Sequence, residues 1–253
     1  MTHTHHALNI QQYQDKSQNY LNSAVHAQGA EFDKIKQLIE AHKLAHILDL
    51  GCGGGHVSYQ VAPVATSVIA YDITPTMTEV VASQAKTRGL TNITTQIGTA
   101  EKLPFADHQF DAIITRYSAH HWQNLPQALF EMHRALADDG KVVIVDVLGN
   151  SNPVLNNFLQ TIETIRDPSH VKDYSLAEWL YFAEITGFCV ATVEMQKLAL
   201  NFDSWIARMH TADTSIQVIR ALQKNCAASV RQYYEIDEAG NFSTDVIYLV
   251  LSK

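Results

Sequence analysis

Short apolar runs alternate with amphipathic stretches over the first 150 residues of the chain. The runs have the nearly continuous apolar character of strands that are buried on both faces. They are AHILDLG (45–51), SVIAYD (67–72), NITTQIG (92–98), FDAIITRYS (110–118) and GKVVIVDV (140–147). Between them, apolar residues recur at helical intervals, as in EFDKIKQLIEAH (31–42). This alternation predicts an α/β fold, with a doubly wound, mostly parallel Rossmann-like sheet and helices on both faces.

Proline and glycine mark the ends of the predicted helices. Thr74 precedes Pro75 as an N-cap precedes the first helical residue, and Gly89 ends that stretch. Pro63 ends the helix predicted for HVSYQVAP, and LPQALFEMHRAL is the helix before the fifth strand. These helices supply the crossover connections that parallel strands need.

The pattern changes after about residue 150, where helical stretches dominate. Helices are predicted for VLNNFLQTIETIRD, SLAEWLYFAEITGF, DSWIARMHT and TSIQVIRALQKNCAASVRQYY. CVATVEMQKLAL and FSTDVIYLVLSK have the β-branched and aromatic content of strands, and the last strand is expected to be antiparallel. We therefore predict a single domain over residues 1–253, with a core at about 31–150 and a helical insertion with the last strands at about 151–253.

Composition narrows the possible partners. The 253 residues include 46% hydrophobic and 17% charged residues, which is ordinary for a globular protein. The formal net charge of −8 argues against nucleic acid as a partner, because phosphate binding needs clustered Lys and Arg. Three cysteines without metal-ligand spacing favour a reducing, cytoplasmic location. No apolar stretch approaches the ~20 residues of a membrane span.

The N-terminal stretch MTHTHHALNIQQYQDK has no secretory pattern and is interpreted as a frayed end. Its three histidines, His3, His5 and His6, are therefore assigned no role. Elsewhere in the chain, His42 and His46 are four residues apart but fall on different predicted elements, so no histidine pair has the i, i+4 placement on one helix that is typical of metal ligands. We expect no metal site.

A glycine-rich loop follows the first predicted strand, with Cys52 between Gly51 and Gly53 and with Gly54 and Gly55 after them. Glycine permits positive φ and has no Cβ, so a ligand can lie against the backbone there. In a doubly wound sheet, ligands bind at the carboxyl ends of the strands, where this loop is expected. A plain turn is the alternative interpretation.

An acidic residue strengthens the ligand hypothesis. Asp72 closes the second predicted strand about 20 residues beyond the loop, where nucleotide-binding sheets keep a carboxylate for ribose hydroxyls. Its alternative role is to cap the next turn. His56 stands where the dinucleotide fingerprint G-x-G-x-x-G has its last glycine, which disfavours an NAD(P) oxidoreductase. The loop matches D-x-G-x-G-x-G from Asp49 to Gly55 instead.

These motifs resemble those of the class I S-adenosylmethionine-dependent methyltransferases, and especially their small-molecule branch with the quinone-biosynthesis enzymes. The resemblance covers about residues 10–150. Five motifs of the family have counterparts in this chain. The family's VLDLGCGxG corresponds to ILDLGCGGG, its DxSxxM to DITPTM and its GDAExLPFxDxxFD to GTAEKLPFADHQFD. Its LHHxxD corresponds to AHHWQN, and its RxLKPGGxLxxxD to RALADDGKVVIVD. It implies methyl transfer from S-adenosylmethionine to a small organic acceptor through an O, N or C nucleophile, which leaves S-adenosylhomocysteine.

The resemblance also implies a set of cofactor contacts. Gly51, Gly53 and Gly55, with Cys52 in the same loop, are expected around the methionine moiety, whose amino group Asp49 orders. The other expected contacts are Asp72 on the ribose diol, Ile73 and Met77 beside the adenine, Thr99, Ala100 and Glu101 along the adenine edge, and the backbone carbonyl of Arg116 at the methionine amine. Glu101 is expected chiefly as a capping or shaping residue. Thr99 stands where the family usually has Asp, and its hydroxyl is a weaker acceptor than a carboxylate.

Aromatic and histidine side chains are candidates for the rest of the site. YQDKSQNY resembles the family's Phe-x-x-x-Ala-x-x-Tyr segment, so Tyr13 and Tyr20 are candidates to close the pocket, with helix packing as the alternative. YSAHHW follows the fourth strand and puts His120 and His121 on the rim where an acceptor would arrive. A pKa near ~6.5 suits histidine to act as a general base, and loop packing is the alternative role for both.

The C-terminal half is expected to bind the acceptor under a cover that excludes water. The candidates for this cover are Trp179, Tyr181, Phe182, Trp205, Arg208 and Met209. The same residues could equally be core. Two other function classes stay open on the sequence, a non-catalytic nucleotide sensor and an NAD(P) oxidoreductase.

Overall fold

One sheet of seven strands organises the part of the chain that the computed structural model describes, residues 4–17, 21 and 27–253. The strands are β1 (His46–Leu50), β2 (Ser67–Asp72), β3 (Ile93–Ile97), β4 (Phe110–Arg116), β5 (Leu136–Val147), β6 (Cys189–Leu200) and β7 (Phe242–Ser252). Their order is β3-β2-β1-β4-β5-β7-β6. Neighbours among β1 to β5 are parallel, whereas β7 is antiparallel to β5 and β6. The predicted fold class, including the antiparallel last strand, is confirmed.

The helices agree closely with the apolar spacing of the sequence. They are α1 (His5–Tyr13), α2 (Glu31–His42), α3 (His56–Val61), α4 (Pro75–Thr87), α5 (Leu125–Ala135), α6 (Pro153–Arg166), α7 (Leu176–Ile185), α8 (Phe202–Met209), α9 (Asp213–Asn225) and α10 (Ala228–Tyr233). Pro63 falls in a short 3-10 turn after α3, and Thr74 and Pro75 begin α4 as predicted. No helix in the described ranges has the length and apolar character that a membrane crossing would need.

The structure describes the N-terminal stretch from residue 4, and the prediction of a frayed end is wrong for His5 and His6. Both lie in α1, which Thr4 caps by accepting a hydrogen bond from the Ala7 amide at 3.3 Å. The Nε2 atom of His5 lies 3.2 Å from the carbonyl oxygen of His121, far along the chain. Such tertiary contacts stabilise a helix whose own sequence is only weakly amphipathic. His3 lies outside the described residues.

Helices cover both faces of the sheet. Successive strand residues point to opposite faces, so Ile113 and Ile114 of β4 belong to different core clusters. The Ile113 side packs against α5 and α7, and the Ile114 side packs against α2 and α3. A third cluster joins α6, α8, α9 and α10 to the ends of β6 and β7. The helical insertion thus builds a hydrophobic core of its own beside the sheet.

The strand order reverses at β1. The chain runs from β1 outward through β2 and β3 and then returns to β4 on the other side of β1. The loops that follow β1 and β4 therefore meet at one edge of the sheet. This is the position where open α/β sheets bind their ligands.

Candidate active site

Three glycines shape the loop after β1. Gly51, Gly53 and Gly55 have φ angles of 74°, 48° and 84°, which L side chains rarely adopt. The amides of Gly51 and Cys52 donate to the carbonyl of Tyr71 at 2.8 and 3.0 Å, which ties the loop to β2. A Cβ added at Gly53 would meet no described heavy atom within 4 Å, so the backbone there faces open space.

A cavity opens over this loop, and we call it the glycine-loop cavity. Its empty volume, with its mouth, is about 960 Å³. The predicted site residues that line it are Tyr13, Asp49, Gly51, Cys52, Gly53, Asp72, Ile73, Met77, Thr99, Ala100, Glu101, Arg116 and His121. Gly55 is not in the lining, and a Cβ there would lie 2.7 Å from the Tyr59 ring, so its lack of a side chain allows close packing. Tyr20 lies outside the described residues.

Asp49 lies at the end of β1 and is hydrogen-bonded to the helix that follows the loop. It is buried, and its Oδ2 accepts hydrogen bonds from the Ser58 amide at 2.9 Å and from the Ser58 hydroxyl at 2.6 Å. Burial raises the pKa of Asp49 to about 7, although the hydrogen bonds from Ser58 lower it. Asp49 therefore joins the end of β1 to the first turn of α3.

Asp72 joins the loop to the start of α4. Its Oδ2 accepts from the Gly53 amide at 2.9 Å, and its Oδ1 accepts from the Thr74 amide at 2.8 Å. Burial raises the pKa of this carboxyl group, against the effect of the hydrogen bonds from Thr74 and Gly53. The capping role is therefore present. Each carboxylate oxygen has a second lone pair, so the geometry also suits a vicinal diol in the cavity.

The far wall combines apolar side chains with a polar rim. Its apolar members among the predicted residues are Ile73, Met77 and Ala100. The Oε1 atom of Glu101 accepts from the amides of Gln123 and Asn124 at 2.9 and 3.3 Å, which is a shaping role. The carbonyl of Thr99 accepts from the Tyr71 hydroxyl at 3.3 Å. A planar apolar ring with polar edges fits such a wall.

Arg116 turns its side chain toward α2. Its Nε and Nη2 atoms donate to Glu31 Oε1 at 2.9 and 2.7 Å, and both side chains are buried. The guanidinium also lies over the rings of Phe32 and Tyr117. Arg116 is also among the residues that line the glycine-loop cavity.

Sequence reasoning missed part of the lining. His6 and Asn9 of α1, together with Ser118 after β4, line the glycine-loop cavity. His6, Asn9 and Tyr13 recur at i, i+3 and i+7, so their spacing indicates one face of a helix. This spacing was visible in the sequence, but the interpretation of the N-terminus as frayed meant that no helix was predicted there.

A second cavity adjoins the first, and we call it the histidine cavity. Its empty volume is about 530 Å³. It is lined by Tyr13, Tyr117, His120, His121, Val147, Glu163, Arg166, Asp173, Leu198, Leu200, Trp205 and Arg208. Tyr13, Tyr117 and His121 line both cavities. The two spaces therefore meet at these three side chains.

A hydrogen-bonded group occupies this junction. The Tyr13 hydroxyl lies 2.8 Å from His121 Nε2 and 2.8 Å from Asp167 Oδ2. His121 Nδ1 lies 3.1 Å from the Ser169 carbonyl, which only accepts, so Nδ1 carries a proton. Burial, with the neighbouring His120, lowers the pKa of His121 to about 4. His121 is thus neutral near pH 7, with Nε2 facing Tyr13.

His120 differs from His121 in its protonation state. Its Nδ1 is hydrogen-bonded to Asp146 Oδ1, and its amide donates to Asp146 Oδ2 at 3.2 Å. Burial is the largest single effect and lowers the pKa of His120, but the charge and hydrogen bond of Asp146, together with Asp173 and Glu163, outweigh it and raise the pKa to about 9. His120 is therefore protonated near pH 7 and is unsuited to accept a proton. Of the two candidate bases, the geometry favours His121.

The residues that were predicted to cover the acceptor fall into two groups, one on α8 and one on α7. Trp205 and Arg208 of α8 line the histidine cavity, and Met209 packs with Tyr13 and Met77. The expectation is wrong for the members on α7, because that helix packs beside α5 on one face of the sheet. There Trp179 is core, Phe182 packs against the same cluster, and Tyr181 is 57% exposed.

Several known proteins are similar to this chain in sequence and in fold. Residues 48–144 match the family described as "Methyltransferase domain". The chain is 41% identical over 203 residues to "Uncharacterized protein YafE" of Escherichia coli K12, over 80% of this chain and 98% of that protein. It is 35% identical over 211 residues to "Uncharacterized methyltransferase YcgJ" of Bacillus subtilis, over 83% of each. The crystal structure of YcgJ superposes with a TM-score of 0.84 over 88% of this chain and 97% of that one, at 31% identity.

A third relative covers less of the chain. The ubiquinone/menaquinone biosynthesis C-methyltransferase UbiE of Citrifermentans bemidjiense is 33% identical over 115 residues, 44% of this chain and 49% of that enzyme. Together with the fold and the site, these findings define the class. The chain belongs to the class I S-adenosylmethionine-dependent methyltransferases and is an enzyme.

The glycine-loop cavity fits the methyl donor that this family implies. The open backbone at Gly53 leaves room for a ligand atom where a Cβ would lie. Asp72 offers acceptors at the end of β2, and the wall with Met77 and Ala100 is apolar. The donor set therefore suits an amino acid joined to a nucleoside.

Proposed function

We propose that this enzyme binds S-adenosylmethionine in the glycine-loop cavity and methylates a small organic acceptor in the histidine cavity. The observation that carries the proposal is the junction, where Tyr13, Tyr117 and His121 line both cavities. S-adenosylmethionine supplies an activated methyl group on a sulfonium. The protein then has chiefly to align the two reactants and exclude water, and alignment can contribute ~7–11 kcal/mol in favourable systems.

Cofactor roles follow the lining of the first cavity. Gly51, Gly53 and Cys52 accommodate the methionine part, with Asp49 beneath them and the Arg116 carbonyl beside them. The nucleoside part is assigned to Asp72 for the ribose, Ile73, Met77 and Ala100 for the adenine faces, and Thr99 with Glu101 at the edge. In this proposal the helical insertion contributes α6 and α8 to the acceptor side.

Proton removal from an acceptor is assigned to Tyr13 and His121. The Tyr13 hydroxyl has one proton and two acceptors at 2.8 Å, His121 Nε2 and Asp167 Oδ2. It can take a proton from an acceptor while passing its own to Nε2, which is neutral, although the lowered pKa of His121 makes this transfer unfavourable near pH 7 until a charged group stabilises the imidazolium. Asp167 then stabilises the charged imidazole, since its Oδ2 lies 3.9 Å from Nε2.

Ligand titration tests the cofactor assignment. Calorimetry is performed with S-adenosylmethionine, S-adenosylhomocysteine and NADH on the full chain. We expect the first two to bind and NADH not to bind, and tight binding of NADH alone would overturn the proposal. Incubation with methyl-labelled S-adenosylmethionine and a cell metabolite extract, followed by mass spectrometry, then identifies the methylated acceptor.

Substitution of Tyr13 tests the proton path. Tyr13→Phe removes the hydroxyl that lies between His121 and Asp167 but keeps the ring that packs on Met77. We expect turnover of the identified acceptor to fall ~100-fold, in the range of general base catalysis, while affinity for S-adenosylmethionine changes little. Unchanged turnover would remove Tyr13 and His121 from the reaction.

A further inference from the structure

His6 of α1 lines the glycine-loop cavity and has a buried nitrogen without a partner. The side chain as a whole is 36% exposed, but its Nε2 atom is buried and has no hydrogen-bond partner among the described residues. The Oε2 atom of Glu101 lies 3.6 Å away, which is too far for a hydrogen bond. Buried polar atoms in folded proteins nearly always have a partner, and a ligand in the cavity can supply this one.

Contacts at both ends fix the helix that carries His6. Near the start of α1, the Nε2 atom of His5 lies 3.2 Å from the carbonyl oxygen of His121. Just after the end of α1, the carbonyl of Gln14 accepts a hydrogen bond from the Thr76 hydroxyl at 2.7 Å. The position of the His6 ring beside the cavity is therefore set by contacts that do not involve His6 itself.

Glu101 is also fixed by contacts with its neighbours. Its Oε1 atom accepts from the amides of Gln123 and Asn124 at 2.9 and 3.3 Å. Its other oxygen, Oε2, is the one that lies 3.6 Å from His6 Nε2. An ionised carboxylate only accepts hydrogen bonds, whereas an imidazole with a proton on Nε2 donates one there. The two side chains therefore offer a ligand one donor and one acceptor side by side.

The position of this pair along the sheet matches the base of a nucleoside. The strands β1, β2 and β3 are neighbours, and they lead into the glycine loop, into Asp72 and into the loop that contains Glu101. A ligand with its amino acid on the glycine loop and its ribose at Asp72 therefore carries its base to the loop after β3. Ile73, Met77 and Ala100 supply apolar surface in the same cavity.

We propose that His6 and Glu101 together recognise the adenine edge of the cofactor, with Glu101 Oε2 accepting from the exocyclic amine and His6 Nε2 donating to the neighbouring ring nitrogen N1. The inference rests on the proposed function, because it names how that same cavity selects its nucleoside. Enzymes commonly recognise a base by hydrogen bonds to this edge. Hypoxanthine has a carbonyl in place of the amine and a proton on N1, so its donor and acceptor are reversed. The pair therefore selects adenine over hypoxanthine.

Two ligands that differ only at this edge test the selection. S-adenosylhomocysteine and S-inosylhomocysteine are titrated into the full chain by calorimetry. The readout is the selectivity ratio, which is the dissociation constant of the inosine compound divided by that of the adenine compound. We expect a ratio of ~10–100 for wild type, the range of one bidentate contact to a base. A ratio near one would overturn the inference.

Substitutions assign the selectivity ratio to the pair. Glu101→Gln keeps an oxygen for the two backbone amides but turns the acceptor that faces His6 into a donor, so the ratio should fall to one or below. His6→Phe keeps an aromatic ring without the donor, and the ratio should fall ~5-fold or more, the effect of one lost hydrogen bond. His5→Phe is the matched control, because His5 lies on the same helix but is not among the described residues that line the cavity. It loses the contact with His121, so it should change both affinities alike and keep the ratio.

The outcomes separate this inference from the proposed function. If neither ligand binds to wild type, the proposed function is contradicted and the inference fails with it. If S-adenosylhomocysteine binds but the selectivity ratio is unchanged in folded Glu101→Gln and His6→Phe, the pair does not recognise the base, and the proposed function stands. Loss of the ratio in Thr99→Ala alone would also overturn the inference and assign the selection to the Thr99 hydroxyl. Glu101→Gln is nearly isosteric, so a His6→Phe variant that fails to fold does not remove the test.

Discussion

At the scale of single residues, the three positive-φ glycines of the loop after β1 serve different purposes. A Cβ at Gly51 would lie 1.9 Å from Ser118 Oγ, and one at Gly55 would lie 2.7 Å from the Tyr59 ring. These two glycines are required by the protein's own packing. Gly53 has no such neighbour among the described atoms, so its positive φ and, in the proposed function, a bound ligand are the two reasons for the absence of its side chain.

Gly53→Ala should therefore separate binding from stability. The φ of 48° disfavours alanine, with a cost of about 1–2 kcal/mol in the free energy of unfolding. Gly89→Ala is a matched control, because Gly89 also has positive φ and open space but lies just after α4, away from the cavity lining. We expect similar losses in thermal stability and a loss of S-adenosylmethionine affinity, by calorimetry, for Gly53→Ala alone. Equal affinities would mean that the loop is only a turn.

Asp72 allows a second comparison. Asp72→Ala should weaken cofactor binding by about 1.5–3 kcal/mol, because hydrogen bonds to a charged group are lost. Asp111 is the control, since its Oδ2 accepts from the amides of Ala45 and His46 at 3.0 and 2.8 Å, at the opposite end of β1. Asp111→Ala loses a comparable pair of backbone contacts and should bind the cofactor normally in calorimetry. A folded Asp72→Ala variant with wild-type affinity would exclude Asp72 from the site.

At the scale of elements, the apolar pattern of the sequence predicted the strands of the sheet but did not predict the histidine cavity. Strands buried on both faces are nearly continuous apolar runs, so β1, β2 and β4 could be recognised directly. The histidine cavity instead collects Tyr13, His120, Arg166 and Arg208 from distant positions. Their meeting depends on how α6 and α8 pack beside the sheet, which periodicity within one element does not encode. Family motifs that end near residue 150 could not supply it either.

The two buried tryptophans of the helical insertion distinguish a cavity wall from a core. Trp179 and Trp205 are each 1% exposed, but only Trp205 lines a described cavity. Each Trp→Phe variant should lose less stability than the ~3–5 kcal/mol of full truncation. We expect kcat/KM for the identified acceptor to fall only in Trp205→Phe, with unchanged S-adenosylmethionine affinity in both. Equal kcat/KM values in the two folded variants would place α8 outside acceptor binding.

At the scale of the whole molecule, the two cavities are built from two hydrophobic clusters, one on the sheet and one in the helical insertion. The sheet core supplies the glycine-loop cavity, and the cluster of α6, α8, α9 and α10 supplies much of the histidine cavity. Buried charges accumulate where these parts meet, among them the His120–Asp146 pair. The charge state of this junction therefore contributes to folding stability as well as to chemistry.

This contribution predicts a loss of stability at alkaline pH. The pKa of His120 is about 9 in the folded protein and near ~6.5 when unfolded, so its stabilisation is complete below the unfolded value and is lost as pH rises through about 9. Between pH 7 and pH 9 this amounts to about 2 kcal/mol. Asp49, whose pKa is about 7, also makes the free energy of unfolding decrease as pH rises, chiefly near pH 7. The wild-type curve alone therefore does not isolate His120.

The difference between wild type and His120→Gln reports the contribution of His120, including its effect on the pKa of neighbours such as Asp173. Glutamine keeps a donor toward Asp146 but does not titrate, whereas Asp49 contributes equally to both proteins. Urea unfolding at pH 7 and pH 9, without cofactor, should show a decline about 2 kcal/mol smaller in the variant than in wild type. Equal declines would mean that His120 is neutral in the folded protein. His120 would then regain its place as a candidate base, because a neutral imidazole at the histidine cavity can accept a proton.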